Sequence, residues 1–388
     1  MVKSLLISGA YFPPQTGGIS RMMEEICVRL GSANVSCLTG VPGARVQSGL
    51  RTYRRPLAFS ETAAWRVPAL AGSLLEIYAR ERPHVVQLAT CQDGNLGLAL
   101  ERWLGIPFVV YAHGNEILEA LNSDWSKPRM ALHRASAVLA NSRFTADLAM
   151  QAGARPEAIE IIPLGCDAQR FSPASVDANT RKRLIGDRAP APVILTVGNL
   201  VERKGHDMVI RAMPAVLRRV PGAIYLIAGS GPYRSQLEHL AVSLGVGSQV
   251  VFAGRIADDD LPSLYRLCDV FAMPSRARTD CNDVEGFGIV YLEAGAAGKP
   301  VLAGRSGGVE DAVLDGETGI LVDPLSEEDV AGSLIRLLTD GELRDRFGAR
   351  ARRRVEDEYN WPVTGSRVGA ILERVVRDAP RRGRKPDA

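Results

Sequence analysis

Two glutamates in the second half of the chain are spaced so that both side chains could contact the same ligand. Glu285 and Glu293 stand eight positions apart, and Gly-Phe-Gly follows the first of them. That separation is about two helical turns, so the pattern predicts Glu285 in a loop and Glu293, on a shared face, inside the following helix. The glycines leave backbone N–H groups at the helix start free to face whatever Glu285 contacts. A chance pair of surface carboxylates is the alternative.

A basic pair lies in a loop bounded by glycines. Arg203 and Lys204 follow the apolar run Val193–Val197, and the flanking glycines are Gly198 and Gly205. A diphosphate needs localised positive charge, which this pair would supply at the end of a buried strand. An ordinary pair of solvated surface charges is the alternative.

Two features in the first half also follow apolar runs. Gly17 and Gly18 come after the first run, where paired glycines let the backbone approach a ligand and leave helix N–H groups free for an anion. A plain tight turn has the same pattern. His113 follows the run Phe108–Tyr111 and precedes a glycine, which would place it at a cleft. A structural histidine is the alternative there.

These residues require a framework of buried strands, and the chain alternates apolar runs with amphipathic stretches throughout. That alternation predicts doubly wound α/β sheets, which bind ligands at the carboxyl ends of their strands. A proline-containing polar stretch interrupts it once. We predict an N-terminal Rossmann-like domain over 1–175, a linker over 176–192, a C-terminal Rossmann-like domain over 193–360, and a helix over 361–380 that returns to the N-terminal domain.

Composition excludes several classes of protein. The 388 residues, of which 46% are hydrophobic, suffice for two domains with their own cores. The net charge of +3 is too small for a nucleic-acid-binding surface, so no nucleic-acid partner is expected. The absence of a transmembrane-length apolar run and of a signal peptide predicts a cytoplasmic protein. The six cysteines lack zinc spacing, so neither a metal site nor a disulfide is predicted.

With these motifs in this order, the chain resembles the family 4 retaining glycosyltransferases of the GT-B superfamily over nearly its whole length. Its C-terminal half is most similar to the bacterial phosphatidylinositol mannosyltransferases, through Ala272–Ser275, Asp283–Ala294 and Gly304–Gly308. The resemblance implies the GT-B fold, in which two Rossmann-like doubly wound domains face a central cleft. It also implies transfer of a sugar from a nucleotide diphosphate sugar to a hydroxyl acceptor.

The resemblance also assigns roles to the residues. Lys204, helped by Arg203, would neutralise the diphosphate leaving group, and His113 would contact the transferred sugar. Glu285 would bind sugar hydroxyls, and Glu293 would bind the ribose. The other donor-binding positions implied are Gly17 and Gly18 at the diphosphate or acceptor, the backbone of Arg255 and Ile256 at the base, and Gly286, Phe287, Gly288, Ile289 and Val290 in the glutamate motif.

Retention in this family is explained by front-face attack of the acceptor hydroxyl, with no protein nucleophile. The protein then supplies positioning and stabilises leaving-group charge. Lys204 would do so without a divalent metal, so no cofactor and no essential metal are expected. One position departs from the resembling mannosyltransferases, because Asn199 stands where they carry arginine. Arg203 is expected to compensate.

Other functions stay open at this point. A non-hydrolysing sugar-nucleotide epimerase of the same architecture would act on the nucleotide sugar alone, whatever the acceptor. A dehydrogenase would need G-x-G-x-x-G after the first strand, which is absent. A non-catalytic carbohydrate-binding module would not need Lys204 and Glu285 together. The donor favoured is GDP-mannose, with UDP-sugars open, and the sequence leaves the linkage and the oligomeric state undecided.

A basic stretch bears on the acceptor. Relatives that glycosylate lipids touch the bilayer with a basic, partly apolar surface on the N-terminal domain, and basic groups are attracted to an anionic leaflet. The stretch therefore predicts peripheral attachment at the inner face of the membrane and a lipid or lipid-linked acceptor. A solvated helix face plus a loop is the alternative. The stretch contains Arg45, Arg51, Arg54, Arg55, Arg66, Arg80 and Arg82, with Tyr53, Phe59, Trp65 and Tyr78 among them.

Overall fold

A computed structural model describes residues 2–15, 17–44, 49–55, 66–122, 126–186, 188, 191–278 and 280–379. Contacts within the chain divide it into two units. The first combines Met1–Leu164 with Trp361–Ala388, and the second is Gly165–Asn360.

In its described residues, the first unit has a parallel sheet of seven strands in the order β3-β2-β1-β4-β5-β6-β7. Helices cover both faces of such a sheet, so its five inner strands are buried along their whole length, whereas its two edge strands are partly exposed. The strands are β1 (Ser4–Ser8), β2 (Val35–Thr39), β3 (Arg51–Arg54), β4 (Val85–Leu88), β5 (Phe108–Ala112), β6 (Ala137–Ala140) and β7 (Ile159–Ile161). The helices that connect them are α1 (Gly18–Leu30), α2 (Arg66–Glu81), α3 (Gly94–Leu104), α4 (Asn115–Leu121), α5 (Ser126–Arg134) and α6 (Arg143–Gln151).

The second unit repeats this plan with six parallel strands among its described residues, in the order β10-β9-β8-β11-β12-β13. The strands are β8 (Val193–Val197), β9 (Ile224–Ala228), β10 (Val250–Gly254), β11 (Val270–Met273), β12 (Val301–Gly304) and β13 (Gly319–Val322). The helices are α7 (Ala178–Ile185), α8 (His206–Arg219), α9 (Arg234–Ser243), α10 (Leu261–Leu267), α11 (Ile289–Ala296), α12 (Val309–Ala312), α13 (Glu327–Thr339) and α14 (Gly341–Asp357). In both sheets the strand order reverses beside the first strand, as in Rossmann-like sheets, and the predicted doubly wound α/β class is confirmed.

The last described helix, α15 (Trp361–Asp378), belongs to the first unit and packs against α1. The packing is close, because a Cβ on Gly365 would lie 2.5 Å from the Cβ of Arg29. Two polar contacts add to it. Thr364 Oγ1 donates to the carbonyl of Pro163 at 3.3 Å, and Arg374 forms an ion pair with Glu160 at 2.5 Å.

The boundary between the units lies earlier than the sequence pattern indicates. Residues 165–175 belong to the second unit, since Arg266 Nε donates to the Ser172 carbonyl at 2.8 Å and the Phe171 ring meets Tyr265 edge-on. The segment predicted as a linker contains α7. That helix starts there because the Asp177 carboxylate accepts hydrogen bonds from two backbone N–H groups of its first turn.

The cysteines have no disulfide partners in the structure. Five are buried and Cys281 is exposed. No helix in the described ranges combines the length and the apolarity that a membrane span requires.

His206, at the start of α8, is fully buried in the second unit. Its Nε2 donates to the Asn199 carbonyl at 3.2 Å, and its Nδ1 lies 3.3 Å from the Tyr225 hydroxyl. Burial lowers the pKa of His206 from 6.5 to about 4, with a further lowering from nearby Lys204. The imidazole is therefore a neutral structural group.

This burial predicts acid sensitivity in the second unit. Above pH 6.5 the ring is neutral in both states, whereas between pH 6.5 and about 4 only the unfolded chain takes up the proton. Stability should therefore fall with pH across this window, by about 3 kcal/mol in total. We expect His206→Gln, which cannot titrate, to flatten this dependence in urea unfolding at pH 7.5 and 4.5. The exposed His239→Gln control should keep it, and an identical pH dependence in both variants would contradict the prediction.

Candidate functional site

Two basic and two acidic side chains meet where β8 and β11 end. Arg203 and Lys204 follow β8, and Asp283 and Glu285 lie in the loop between β11 and α11. Arg203 Nη1 and Lys204 Nζ both lie 2.6 Å from Glu285 Oε2, and Arg203 Nε lies 2.6 Å from Asp283 Oδ1. The two motifs singled out in the sequence are therefore brought together. Asp283 completes this group of four residues, the charged cluster. Its position two residues before Glu285 had not indicated a role for it.

The backbone of the basic loop approaches the neighbouring loop very closely. Gly205 has a φ of 72°, and a Cβ there would lie 2.1 Å from the Pro274 carbonyl oxygen, so only glycine fits. Beside it, the Arg276 N–H donates to the Arg203 carbonyl at 2.8 Å. These contacts fix the backbone of the loop that carries Lys204 against the loop after β11.

A buried ion pair ties the same two loops together. Arg276 contacts Asp207 through two parallel hydrogen bonds of 3.0 and 3.1 Å, and it also pairs with Glu202 at 3.3 Å. Arg278 bonds the Glu202 carboxylate as well. Sequence reasoning missed this network. A hint was available, because Arg276 directly follows the Ala272–Ser275 motif and Arg278 stands two residues later.

The glycine-rich exit after β12 holds the backbone of Glu285. The Gly308 N–H donates to the Glu285 carbonyl at 2.9 Å. Gly307 has a φ of 59°, and a Cβ on it would come within 2.4 Å of the same carbonyl oxygen. Glu285 is thus held through its main chain by one loop and through its side chain by another.

The glutamate motif is arranged as predicted in its elements. Glu285 lies in the loop, and Glu293 lies within α11. This helix begins at Ile289, and Val290 is its second residue. Because Glu285 precedes the helix, the two carboxylates do not share a helix face. Glu293 Oε2 accepts a hydrogen bond of 2.6 Å from the Tyr265 hydroxyl, a partner that the sequence did not indicate.

The small residues of this motif also have defined positions. Gly286 follows Glu285 directly. Phe287 is buried and stacks on Tyr359, with ring centroids 6.0 Å apart. Gly288 precedes α11 with a φ of 89°, and a Cβ there would strike Tyr291 at 2.4 Å.

Electrostatics decide the charge state of the site. Burial by itself would raise the pKa of Glu285, but the charges of Lys204 and Arg203 outweigh burial and lower it. Burial lowers the pKa of Lys204, and Glu285 partly restores it. Glu285 is therefore a carboxylate that its two cationic neighbours keep ionised.

The remaining predicted residues lie elsewhere. Gly17 and Gly18 stand at the start of α1, where Gly17 has a φ of 139°. Arg255 and Ile256 follow the edge strand β10, which is separated from β8 by β9.

His113 lies in the first unit, after β5, and is 7% exposed. Its Nε2 donates to the Ala89 carbonyl at 3.0 Å, and its backbone N–H donates to Glu116 Oε1 at 2.6 Å. Asn141, after β6, donates to the His113 carbonyl at 3.4 Å. Burial lowers the pKa of His113 against the opposing effect of Glu116, which leaves a neutral ring.

Within the described ranges, no three or more histidine, cysteine or acidic side chains are placed to hold a metal ion. The acidic run at 258–260 instead pairs with arginines, since Asp258 contacts Arg170 and Asp260 contacts Arg183. What the charged cluster offers is two adjacent cations on rigid loops with a carboxylate between them. Such a group can bind a diphosphate and, beside it, a hydroxyl donor.

The basic stretch of the first unit is partly neutralised. Arg51 pairs with Glu81 at 2.8 Å, and Arg55 and Arg80 both pair with Glu76, at 3.0 and 3.2 Å. Arg54 is exposed. Arg45, Phe59 and Trp65 lie outside the described residues.

Comparison with known proteins identifies the family of the chain. Residues 180–354 match the model of group 1 glycosyl transferases, and residues 16–170 match that of glycosyltransferase family 4. A GDP-mannose-dependent alpha-(1-6)-phosphatidylinositol monomannoside mannosyltransferase of Mycolicibacterium smegmatis is 35% identical over 93% of this chain and 96% of its own. The Corynebacterium glutamicum enzyme named for the monoacylated form of that acceptor is 32% identical over 96% of this chain and 98% of its own.

Solved structures agree on the fold. HepE of Anabaena, crystallised with UDP and glucose, superposes with a TM-score of 0.79 at 21% identity, covering 96% of this chain and all of its own. That neighbour confirms the predicted GT-B fold. The family models and the relatives that match nearly end to end lead to one identification: the chain belongs to family 4 of the glycosyltransferases, the group 1 enzymes, and is a glycosyltransferase that uses a nucleotide sugar.

Proposed function

We propose that the protein is a retaining mannosyltransferase that moves mannose from GDP-mannose to a hydroxyl of a lipid-linked acceptor. One observation carries the proposal, namely the convergence of Arg203 and Lys204, at 2.6 Å each, on the carboxylate of Glu285. The relatives named for GDP-mannose and for phosphatidylinositol mannoside acceptors support the choice of donor and acceptor.

The two cations would neutralise the diphosphate as the bond to the sugar breaks. Charge develops on the leaving oxygen at that moment, and fixed positive groups in a buried site stabilise it with little reorganisation. Arg203 presents its guanidinium in an orientation set by Asp283. We expect no cofactor and no essential metal, and therefore unchanged turnover in the presence of EDTA.

Retention follows from front-face attack. The acceptor hydroxyl approaches on the side that the diphosphate leaves, and the departing phosphate accepts its proton. The protein contributes positioning and charge stabilisation, which suits a site whose two cations are fixed by the carboxylates beside them. Glu285 would hold sugar hydroxyls, Glu293 would hold the ribose in the orientation that Tyr265 sets, and His113 would contact the transferred sugar.

Lys204→Ala should lower kcat by about a hundredfold or more, because one fixed positive group at the leaving oxygen is lost. Steady-state release of nucleoside diphosphate measures this. The matched control is Lys182→Ala, an exposed lysine of α7 in the same unit. Unchanged turnover in a folded Lys204→Ala protein would remove Lys204 from the mechanism.

Purified protein should release nucleoside diphosphate from GDP-mannose faster than from GDP-glucose, UDP-glucose or UDP-N-acetylglucosamine, and only when an acceptor is supplied. Phosphatidylinositol mannoside in mixed micelles is the acceptor to test first. The product's anomeric configuration, read by NMR, should match that of the donor. Inversion would contradict the retaining mechanism, and acceptor-independent change of the donor sugar would indicate an epimerase.

A lipid acceptor would place the enzyme at a membrane surface. Because Arg51, Arg55 and Arg80 are engaged by glutamates, the docking charge would come from residues such as the exposed Arg54. Each basic group near an anionic leaflet contributes about 1 kcal/mol.

We expect the protein to sediment with phosphatidylglycerol vesicles at low salt, to be released at high salt and to ignore phosphatidylcholine vesicles. Arg54→Ser should weaken the association about fivefold. Arg129→Ser, a change at an exposed arginine of α5, serves as the control. A protein that stays in the supernatant with anionic vesicles at low salt would point to a soluble acceptor.

A further inference from the structure

The charged cluster is neutral as a whole. Arg203 and Lys204 contribute two positive charges, while Asp283 and Glu285 contribute two negative ones. Both cations bond the same oxygen, Glu285 Oε2, and Oε1 has no hydrogen-bond partner in the part of the chain that the structure describes. The side chains of Lys204 and Glu285 are only 12% and 11% exposed. The two cations that would bind a dianionic group are thus already paired with the carboxylate of Glu285.

We propose that Glu285 is a resident counter-anion that the diphosphate must displace from Lys204 and Arg203. This inference rests on the proposed function, since it names what happens at the same site when the donor arrives. Displacement is a ligand exchange with no covalent step. The two cations release Oε2 and bind phosphate oxygens, and the Glu285 side chain turns toward the transferred sugar.

The two cations need this counter-anion because they are buried. Two adjacent buried cations without a counter-charge would repel each other and lose hydration, so the loops would not hold them ready. The ion pair of Asp283 is with Arg203, whereas the ion pair of Lys204 is with Glu285. Glu285 therefore keeps Lys204 in place when no ligand is bound. It then competes with the ligand for Lys204.

The exchange discriminates between donor and product. A sugar nucleotide brings hydroxyl groups that donate to the displaced carboxylate, so Glu285 loses two ion pairs and gains hydrogen bonds. A nucleoside diphosphate alone brings no such partner and leaves a buried carboxylate beside its own negative charge, which is unfavourable. The carboxylate therefore weakens the binding of the product relative to the donor and assists product release.

The test is calorimetric titration of GDP, GDP-mannose and inorganic pyrophosphate into wild-type protein and Glu285→Gln. The amide keeps the size of the side chain and removes the competing charge. We expect Glu285→Gln to bind GDP and pyrophosphate about tenfold more tightly, and its preference for GDP-mannose over GDP to fall by at least that factor. Glu328→Gln, which removes an equal charge at an exposed position of α13, should bind all three as the wild type does.

Weaker or equal binding of GDP and pyrophosphate by a folded Glu285→Gln protein would overturn the inference. Asp283→Asn provides a second test that leaves Lys204 paired with Glu285. It should strengthen pyrophosphate binding less than Glu285→Gln does, and an equal or larger gain would also overturn the inference. The transfer assay separates the two proposals. Tighter anion binding without turnover of any donor would refute the proposed function alone, whereas mannosyl transfer by wild type with no gain in Glu285→Gln would refute the exchange alone.

Discussion

Buried cations and a buried carboxylate stabilise one another only when all of them stay within hydrogen-bond distance. This requirement constrains the loops of the second unit that carry the charged cluster. Lys204 and Glu285 are separated by 81 positions in the chain. They meet because β8 and β11 are neighbours in the sheet, on either side of the point where the strand order reverses. Loops leaving such a point diverge and open a space at the sheet's edge. The parallel sheet is therefore the means by which the charges are brought together.

The loops at this edge are held by contacts that tolerate little change. Gly205 and Gly307 lie so close to carbonyl oxygens that no side chain would fit there, and each positions a member of the charged cluster, Lys204 or Glu285. The buried Arg276–Asp207 pair adds two hydrogen bonds across the same gap. A buried pair of this kind is poor evidence for stability but confines geometry, which is what a site for a developing charge needs.

The sequence predicted the parts whose signal is local. The apolar run Val193–Val197 located β8 to the residue, and the run Phe108–Tyr111 located β5 to within one residue, because strands covered on both faces are continuously hydrophobic. The edge strand β3, with the sequence Arg-Thr-Tyr-Arg, lacks that signal and was missed. The glutamate and lysine motifs were found because their glycines mark strand exits. The Arg276–Asp207 pair and the bond from Tyr265 to Glu293 were not, since both join residues that only the tertiary fold makes neighbours. The helix α7 was not predicted because it lies in a polar segment. The start of this helix depends on a single capping residue, Asp177.

The membership of α15 in the first unit has a consequence for the order in which the molecule is made. The first unit is discontinuous, whereas the second is one uninterrupted segment, Gly165–Asn360. During synthesis the seven strands of the first sheet leave the ribosome early, but the surface of α1 remains uncovered until residues from Trp361 onward emerge. The second unit can complete its core before that moment. The part of the chain that is translated first is therefore the part that finishes folding last.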